Sequence, residues 1–186
     1  MNKTHIVIHH SATDTGDIES FRRYHISKGW RDVGYHYVIN KEGSLQKGRV
    51  ENDTAAACKE AKMNYKGIHI CLTGNFDNYE PNNNQFATLI KIVNDIMKRH
   101  NIPTNNIKKH TDYAHYKSCP GLKFPWTRFI NIMKGEIKME DNDLTSAINK
   151  LVEKGVIDSP NYWINNGTWK KEYVELLIKK FATYIN

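Results

Sequence analysis

The segment Ile68-His69-Ile70-Cys71-Leu72-Thr73 is a nearly continuous apolar run too short for a helix of ordinary length. A strand without polar/apolar alternation is covered on both faces, as a central strand is when structure packs on either side of its sheet. The rest of the chain supplies that cover. His5 to His9 reads as a strand and is followed by a Ser/Thr/Asp/Gly turn. A helix is predicted from about Asp17 to Lys28, with Ile18, Phe21 and His25 on one face and Gly29 ending it. Gly34 to Asn40 and Ser44 to Lys47 form a hairpin around Lys41-Glu42-Gly43. Phe86 to His100 carries Phe86, Leu89, Ile90, Val93, Ile96 and Met97 at helical spacing. A short strand near Ile107 and a helix from Trp126 to Met133 complete the body. Strands interleaved with helices predict an α/β fold with a central mixed β-sheet flanked by helices.

With 186 residues the chain has room for one domain and a small appendage. Residues 1–135 are read as the main domain, 136–143 as a polar linker, and 144–186 as a two-helix module. Leu144, Ala147, Ile148, Leu151 and Val152 mark its first helix, capped by Gly155. Trp169, Tyr173, Leu176, Leu177 and Phe181 mark the second. So small a unit builds a poor core alone, so it is expected to pack on the main domain, on a copy of itself or on a ligand.

The charge is uneven. Lys and Arg number 27 against 20 Asp and Glu, a net +7. Residues 136–186 hold 7 basic and 8 acidic residues, which leaves 20 basic and 12 acidic, or +8, on residues 1–135. A basic body suits a polyanionic partner such as a nucleic acid, an acidic membrane or a bacterial wall polymer. No Lys/Arg-rich run or RNA-binding aromatic signature singles out nucleic acid, and no apolar run is long enough to insert in a membrane. Met1-Asn2-Lys3-Thr4-His5 leads directly into a strand, without an apolar signal region. The expectation is a soluble protein made in the cytoplasm. Cys58, Cys71 and Cys119 are an odd set without paired spacing, which fits a free thiol or a metal ligand better than a disulfide framework.

Nine histidines draw attention to metal chemistry. His9 and His10 end the first strand on opposite faces, so one of them at most points into a given site. His110 and Cys119 lie on a C-terminal loop, with Lys117 two residues before the cysteine. Two imidazoles and a thiolate make a three-donor set that leaves one tetrahedral zinc position for water. The spacing alone contains no HExxH and no CxxC pair, so it also fits surface or core histidines.

Five motifs occur in order: Ile8-His9-His10-Ser11-Ala12-Thr13, Gly29-Trp30-Arg31-Asp32-Val33-Gly34-Tyr35-His36-Tyr37, Gly43 through Gly48-Arg49, Ile70-Cys71-Leu72-Thr73-Gly74-Asn75-Phe76, and His110-Thr111-Asp112 with Lys117-Ser118-Cys119-Pro120-Gly121. This series resembles the type-2 N-acetylmuramoyl-L-alanine amidases, the family that takes in T7-type phage lysozymes and the peptidoglycan-recognition proteins. The resemblance covers roughly residues 4–133. It implies one zinc ion held by His9, His110 and Cys119, with Tyr35 and Lys117 as catalytic residues. Lys117 would stabilise the oxyanion, and Tyr35 would bond the water or help move its proton. His10 becomes a residue behind the ligands or at the rim, His115 either an alternative ligand or an exposed loop histidine, and His36 a structural residue on the face opposite Tyr35. Many relatives carry a His-Ala pair where this chain reads Ala55-Ala56-Ala57-Cys58-Lys59, with Asn64 in the later expected place. Cys58 then lies either beside the metal without binding it or buried as an inert thiol.

What the resemblance implies is zinc-dependent hydrolysis of the bond between N-acetylmuramic acid and L-alanine in bacterial peptidoglycan. The organism-level expectation is a phage or prophage endolysin, held in the host cytoplasm until a separate pore-former releases it to the wall. Abundant Asn, Lys and Ile are compatible with a clostridial host. The rival readings are a peptidoglycan-binding module without catalysis and a host autolysin. Residues 144–186, with Tyr162, Trp163 and Trp169, resemble a small helical module appended to clostridial hydrolases and phage lysins. They either bind a wall polymer, support self-association, or form the core between the two helices.

Overall fold

Strand β1 (His5–His10) lies between two parallel neighbours, β4 (Gly67–Leu72) and β5 (Ile107–Lys109), with His9 beside Cys71 and Ile8 beside both Ile70 and Lys109. On its other side β4 pairs in parallel with β2 (Tyr37–Ile39), which turns back antiparallel into β3 (Leu45–Lys47). The order β3-β2-β4-β1-β5 makes the apolar run the middle strand, and all six of its residues are buried. In this computed structural model the described residues are 2–136, 151–152, 154–156 and 176–177. The chain divides into two compact units, residues 1–136 and 137–186. The two-helix reading of 144–186, with its aromatics, falls outside the described residues except at isolated positions.

Side chains alternate across each strand, so the sheet has two different faces. Ile6, Ile8, Ile39, Ile68, Ile70 and Leu72 point to one side. There they meet Phe86, Leu89, Val93 and Ile96 of α3 (Asn83–His100) and Phe129 and Met133 of α4 (Trp126–Met133). This is the main core. On the other face Val7 packs with Cys58 and Met63, and Val38 and Cys71 pack with Ile18 and Val33. Helix α1 (Ile18–Ser27) covers part of this second face. The second face is the chemically mixed one, because His9 and His69 share it.

The long helices begin where the sequence can cap them. Asp17 accepts from the Ser20 N–H at 2.7 Å while Ser20 Oγ accepts from the Asp17 N–H, and Asn82 and Gln85 form the same reciprocal pair at α3. Two expectations are corrected. Regular hairpin pairing starts at Tyr37 rather than Gly34, because the Gly34 N–H goes to His25 Nδ1 and its carbonyl to the Ala56 N–H. A short helix, α2 (Met63–Lys66), follows a 3₁₀ turn over Glu60–Lys62 where no element was expected. Ala61 and Lys62 there adopt left-handed backbone (φ 49° and 61°), a conformation that leaves no helical sequence pattern to read.

Candidate metal centre

The C-terminal ends of β1 and β5 put the chemistry in one place. His9 is 1% exposed on the mixed face, and its ring lies 4.6 Å from that of His110, which begins the turn just after β5. His10 points the other way. Its Nδ1 accepts from the Phe76 N–H at 3.1 Å and its ring packs on Phe76. That fastens the β4–α3 loop to the sheet, a structural use of the second histidine.

Cys119 reaches the same spot from the C-terminal loop. The His10 N–H donates to Cys119 Sγ at 3.3 Å, and the Thr111 N–H donates to the Cys119 carbonyl at 2.9 Å. Asp77 holds this loop from outside: its carboxylate accepts from Ser118 Oγ at 2.7 Å and from the Leu122 N–H at 3.0 Å. Gly121 is required there, since a Cβ would come within 2.4 Å of the Phe76 backbone and φ is +118°. The Pro-Gly after the cysteine therefore belongs to a close backbone crossing.

Donor atoms of His9, His110 and Cys119 all lie within 4.8 Å of one another. His9 Nδ1 and Cys119 Sγ are 3.6 Å apart. Nitrogen and sulfur donors at ordinary zinc distances and the tetrahedral angle stand about 3.6 Å from each other, so this pair fits such an ion. Electrostatics agree with a cation at this point. Burial, with neighbouring imidazoles, pushes His9 well below the usual histidine range, and burial also lowers His110, so both rings are neutral donors. Burial pushes the Cys119 thiol up to about 12 against the His10 N–H and the Lys117 charge. A thiolate in that position is costly without a positive ion beside it.

Behind the donors stands His69, which sequence reasoning absorbed into the apolar run. It is fully buried, and burial lowers its pKa to about 3. His69 Nδ1 is 2.9 Å from His9 Nε2, and His69 Nε2 is 3.0 Å from the Met63 carbonyl. The signal was available: a polar residue inside a fully buried strand must find partners, and His9 was one strand away on the same face.

Tyr35 packs on His9, and Lys117 stands at the cleft that His110 also lines. The Tyr35 ring centroid is 5.4 Å from that of His9. Burial, together with the Cys71 and Cys119 sulfurs, raises the Tyr35 pKa well above the ordinary tyrosine value. Lys117 is exposed at the rim, its Nζ 5.5 Å over the Tyr116 ring. It borders a cleft of about 490 Å3 lined also by Trp30, Cys58, Glu60, Asn64, His110 and Tyr116. His36 is buried with its ring stacked on His69, on the same mixed face as His9 rather than on the opposite face expected for it. It is bonded to the His69 N–H and the Asp53 carbonyl, while His115 is exposed. Cys58 is both buried and adjacent to the donors: its thiol is 3.5 Å from Glu60 Oε2, and Cys58, Glu60 and His110 also present donor atoms within 4.8 Å of one another. Asn64 Oδ1 fixes that loop by accepting from the Ala57 and Cys58 N–H groups at 2.8 and 2.7 Å.

A mixed sheet that gathers two imidazoles and a thiol at its strand ends, beside a cleft bordered by Lys117, places the chain among α/β proteins with a three-donor set able to hold one metal ion. Comparison with known proteins narrows this. The family model described as N-acetylmuramoyl-L-alanine amidase matches residues 1–122, and the chain belongs to that family. The endolysin of Enterobacteria phage T3 is 30% identical over 136 residues, covering 66% of this chain and 85% of the relative. Peptidoglycan-recognition protein SC1a of Drosophila melanogaster is 27% identical over 127 residues, covering 63% and 68%. Among solved structures, the N-acetylmuramoyl-L-alanine amidase LysC from Clostridium intestinale URNW superposes with a TM-score of 0.66 at 28% identity, covering 74% of this chain and 88% of that one. The expected fold and family are thus both met.

Proposed function

We propose that this amidase is zinc-dependent and cuts the bond between N-acetylmuramic acid and L-alanine in bacterial peptidoglycan, as a phage or prophage endolysin. The observation that carries the reading is the 3.6 Å approach of His9 Nδ1 and Cys119 Sγ beside His110, at the end of a cleft bordered by Lys117. His9, His110 and Cys119 would hold the zinc. Bound there, zinc supplies a Lewis acid that polarises the amide carbonyl and lowers the pKa of water.

The chain's own residues do the rest. Lys117 brings a positive charge to the cleft where negative charge grows on the carbonyl oxygen. Tyr35, kept protonated by burial, offers a hydrogen bond beside His9 and can pass a proton toward the leaving amine. Trp30 and Tyr116 give the cleft aromatic walls suited to a sugar–peptide substrate. The +8 on residues 1–135 favours approach to an anionic wall, and residues 144–186 serve wall binding or self-association. No helix among the described residues is long and apolar enough to cross a membrane.

The test is mass analysis of purified peptidoglycan after digestion, with chelator and then with zinc restored. New L-alanine N-termini on intact glycan chains, lost with chelator and regained with zinc, are expected. Wall that is bound and left uncut moves the chain to the recognition class.

A further inference from the structure

The hydrogen bonds behind His9 run in one direction. A carbonyl oxygen only accepts, so the 3.0 Å contact between His69 Nε2 and the Met63 carbonyl puts a proton on His69 Nε2. The neutral ring then has a lone pair on Nδ1, which only accepts, and its partner at 2.9 Å is His9 Nε2. His9 therefore carries its proton on Nε2 and keeps its own lone pair on Nδ1. That is the atom facing Cys119 Sγ.

The arrangement is built into the backbone. The His69 N–H donates to His36 Nδ1 at 2.9 Å, and His36 Nε2 donates to the Asp53 carbonyl at 3.1 Å, so the strand bearing His69 is tied to a second histidine. The rings of His36 and His69 stack with centroids 5.8 Å apart. Helix α2 delivers the Met63 carbonyl. A Cβ on Gly67 would sit 2.8 Å from His69 Nε2 and 2.9 Å from that carbonyl, across the very hydrogen bond that sets the direction. Among the described residues, no buried side-chain nitrogen or oxygen lacks a partner, so the chain of bonds closes without a gap.

We propose that His69 is a positioning residue for the metal centre, holding His9 in the Nε2–H tautomer so that Nδ1 is presented unprotonated and correctly aimed at the ion. The proposal rests on the reading of His9 as a zinc ligand. An imidazole that donates its second N–H to a fixed acceptor is restricted in both tautomer and ring orientation, and losing such an acceptor costs about 10–100-fold in metal affinity. The acceptor here is another histidine, whose own tautomer is fixed by a main-chain carbonyl.

The first experiment uses the metal-free, full-length wild-type protein and long-range 1H–15N NMR. His9 Nδ1 and His69 Nδ1 are expected to be pyridine-like and both Nε2 atoms pyrrole-like. A proton on His9 Nδ1, or a mixture of His9 tautomers, overturns the proposal without any variant having to fold. Zinc affinity by competition with a chromophoric chelator is the second measurement. His69→Ala should raise the dissociation constant about 10–100-fold. His69→Gln, which can accept from His9 and donate to Met63, should recover most of that loss. Unchanged affinity in a folded His69→Ala, or no recovery in a folded His69→Gln, overturns the positioning role. If wild-type His9 shifts do not respond to stoichiometric zinc, the zinc reading itself has failed and the proposal falls with it. A zinc response in wild type with no effect of His69→Ala spares the zinc reading and removes only His69.

Discussion

Lys117 and Cys119 lie two residues apart on one loop, yet the structure gives them separable tasks. Cys119 is 7% exposed and faces His9 Nδ1, whereas Lys117 is exposed over Tyr116 at the cleft rim. Cys119→Ser should therefore abolish bound zinc and zinc-dependent cleavage while the sheet remains folded. Lys117→Met should keep the metal and lower kcat by about 10²–10³-fold, the range for removing one preorganised stabiliser of a developing oxyanion. Metal analysis beside kcat and KM separates the two. Full activity in Cys119→Ser, or zinc loss in Lys117→Met, would reverse the assignments. At this scale the motifs singled out His9, His110 and Cys119, whose donor atoms the structure gathers, with Tyr35 beside His9 and Lys117 at the cleft rim, because each is a chemically distinctive residue in a fixed local context. The residues that hold them were harder to see. Asp77 and His69 act across 41 and 60 positions of chain, to Ser118 and His9. Nothing in local spacing links such partners.

Elements differ in how far they are written locally. The middle strand and helices α3 and α4 emerge near their expected limits because their burial follows a simple period. The stretch from Val50 to Lys66 does not, since its order comes from long-range polar bonds. Lys3 Nζ donates to the Asp53, Tyr65 and Gly67 carbonyls, and Arg49 donates to the Val33 and Thr54 carbonyls, so two buried charged residues are posts for this segment. Glu51 joins the same stretch to the end of α3. It accepts from Tyr37 Oη at 2.5 Å, Arg99 Nη1 at 2.6 Å and His100 Nε2 at 2.5 Å. Burial alone would raise its pKa, but the bonds from Arg99, Tyr37 and His100 outweigh it and hold the carboxyl down to about 2. A carboxyl depressed in the folded state stabilises above its unfolded pKa and ceases to do so as pH falls through the folded one. Glu51→Gln should thus cost about 1.5 kcal/mol at pH 6, at the low end for charged hydrogen bonds because Arg99 is 41% exposed. The gap between wild type and variant should narrow from about pH 4.5 toward pH 2 in urea unfolding. A gap independent of pH would show that Glu51 acts by shape rather than charge.

For the molecule as a whole, the informative boundary is the one near residue 136. Among the described residues, every strand, both layers of the main unit and all the proposed metal donors lie within residues 5–133. Within that unit Ile6, Ile8, Ile68, Ile70 and Leu72 are fully buried and pack against α3 and α4. The charge changes at the same place, from +8 on residues 1–135 to −1 on residues 136–186. A basic catalytic body draws itself to an anionic wall through a long-range attraction that salt screens within about 8–10 Å. A separate module would hold the enzyme there by contacts that salt affects less. Truncation after Glu136 should then leave cleavage of soluble muropeptide close to that of the full chain, with a similar unfolding midpoint. Lysis of whole cells should fall and become more sensitive to ionic strength, because only the electrostatic part of wall encounter is left. Equal loss on soluble substrate and whole cells would instead make residues 136–186 a support for the catalytic unit. The two activities should be measured on one preparation across a salt series, so that attraction to the wall is separated from the chemistry at His9, His110 and Cys119.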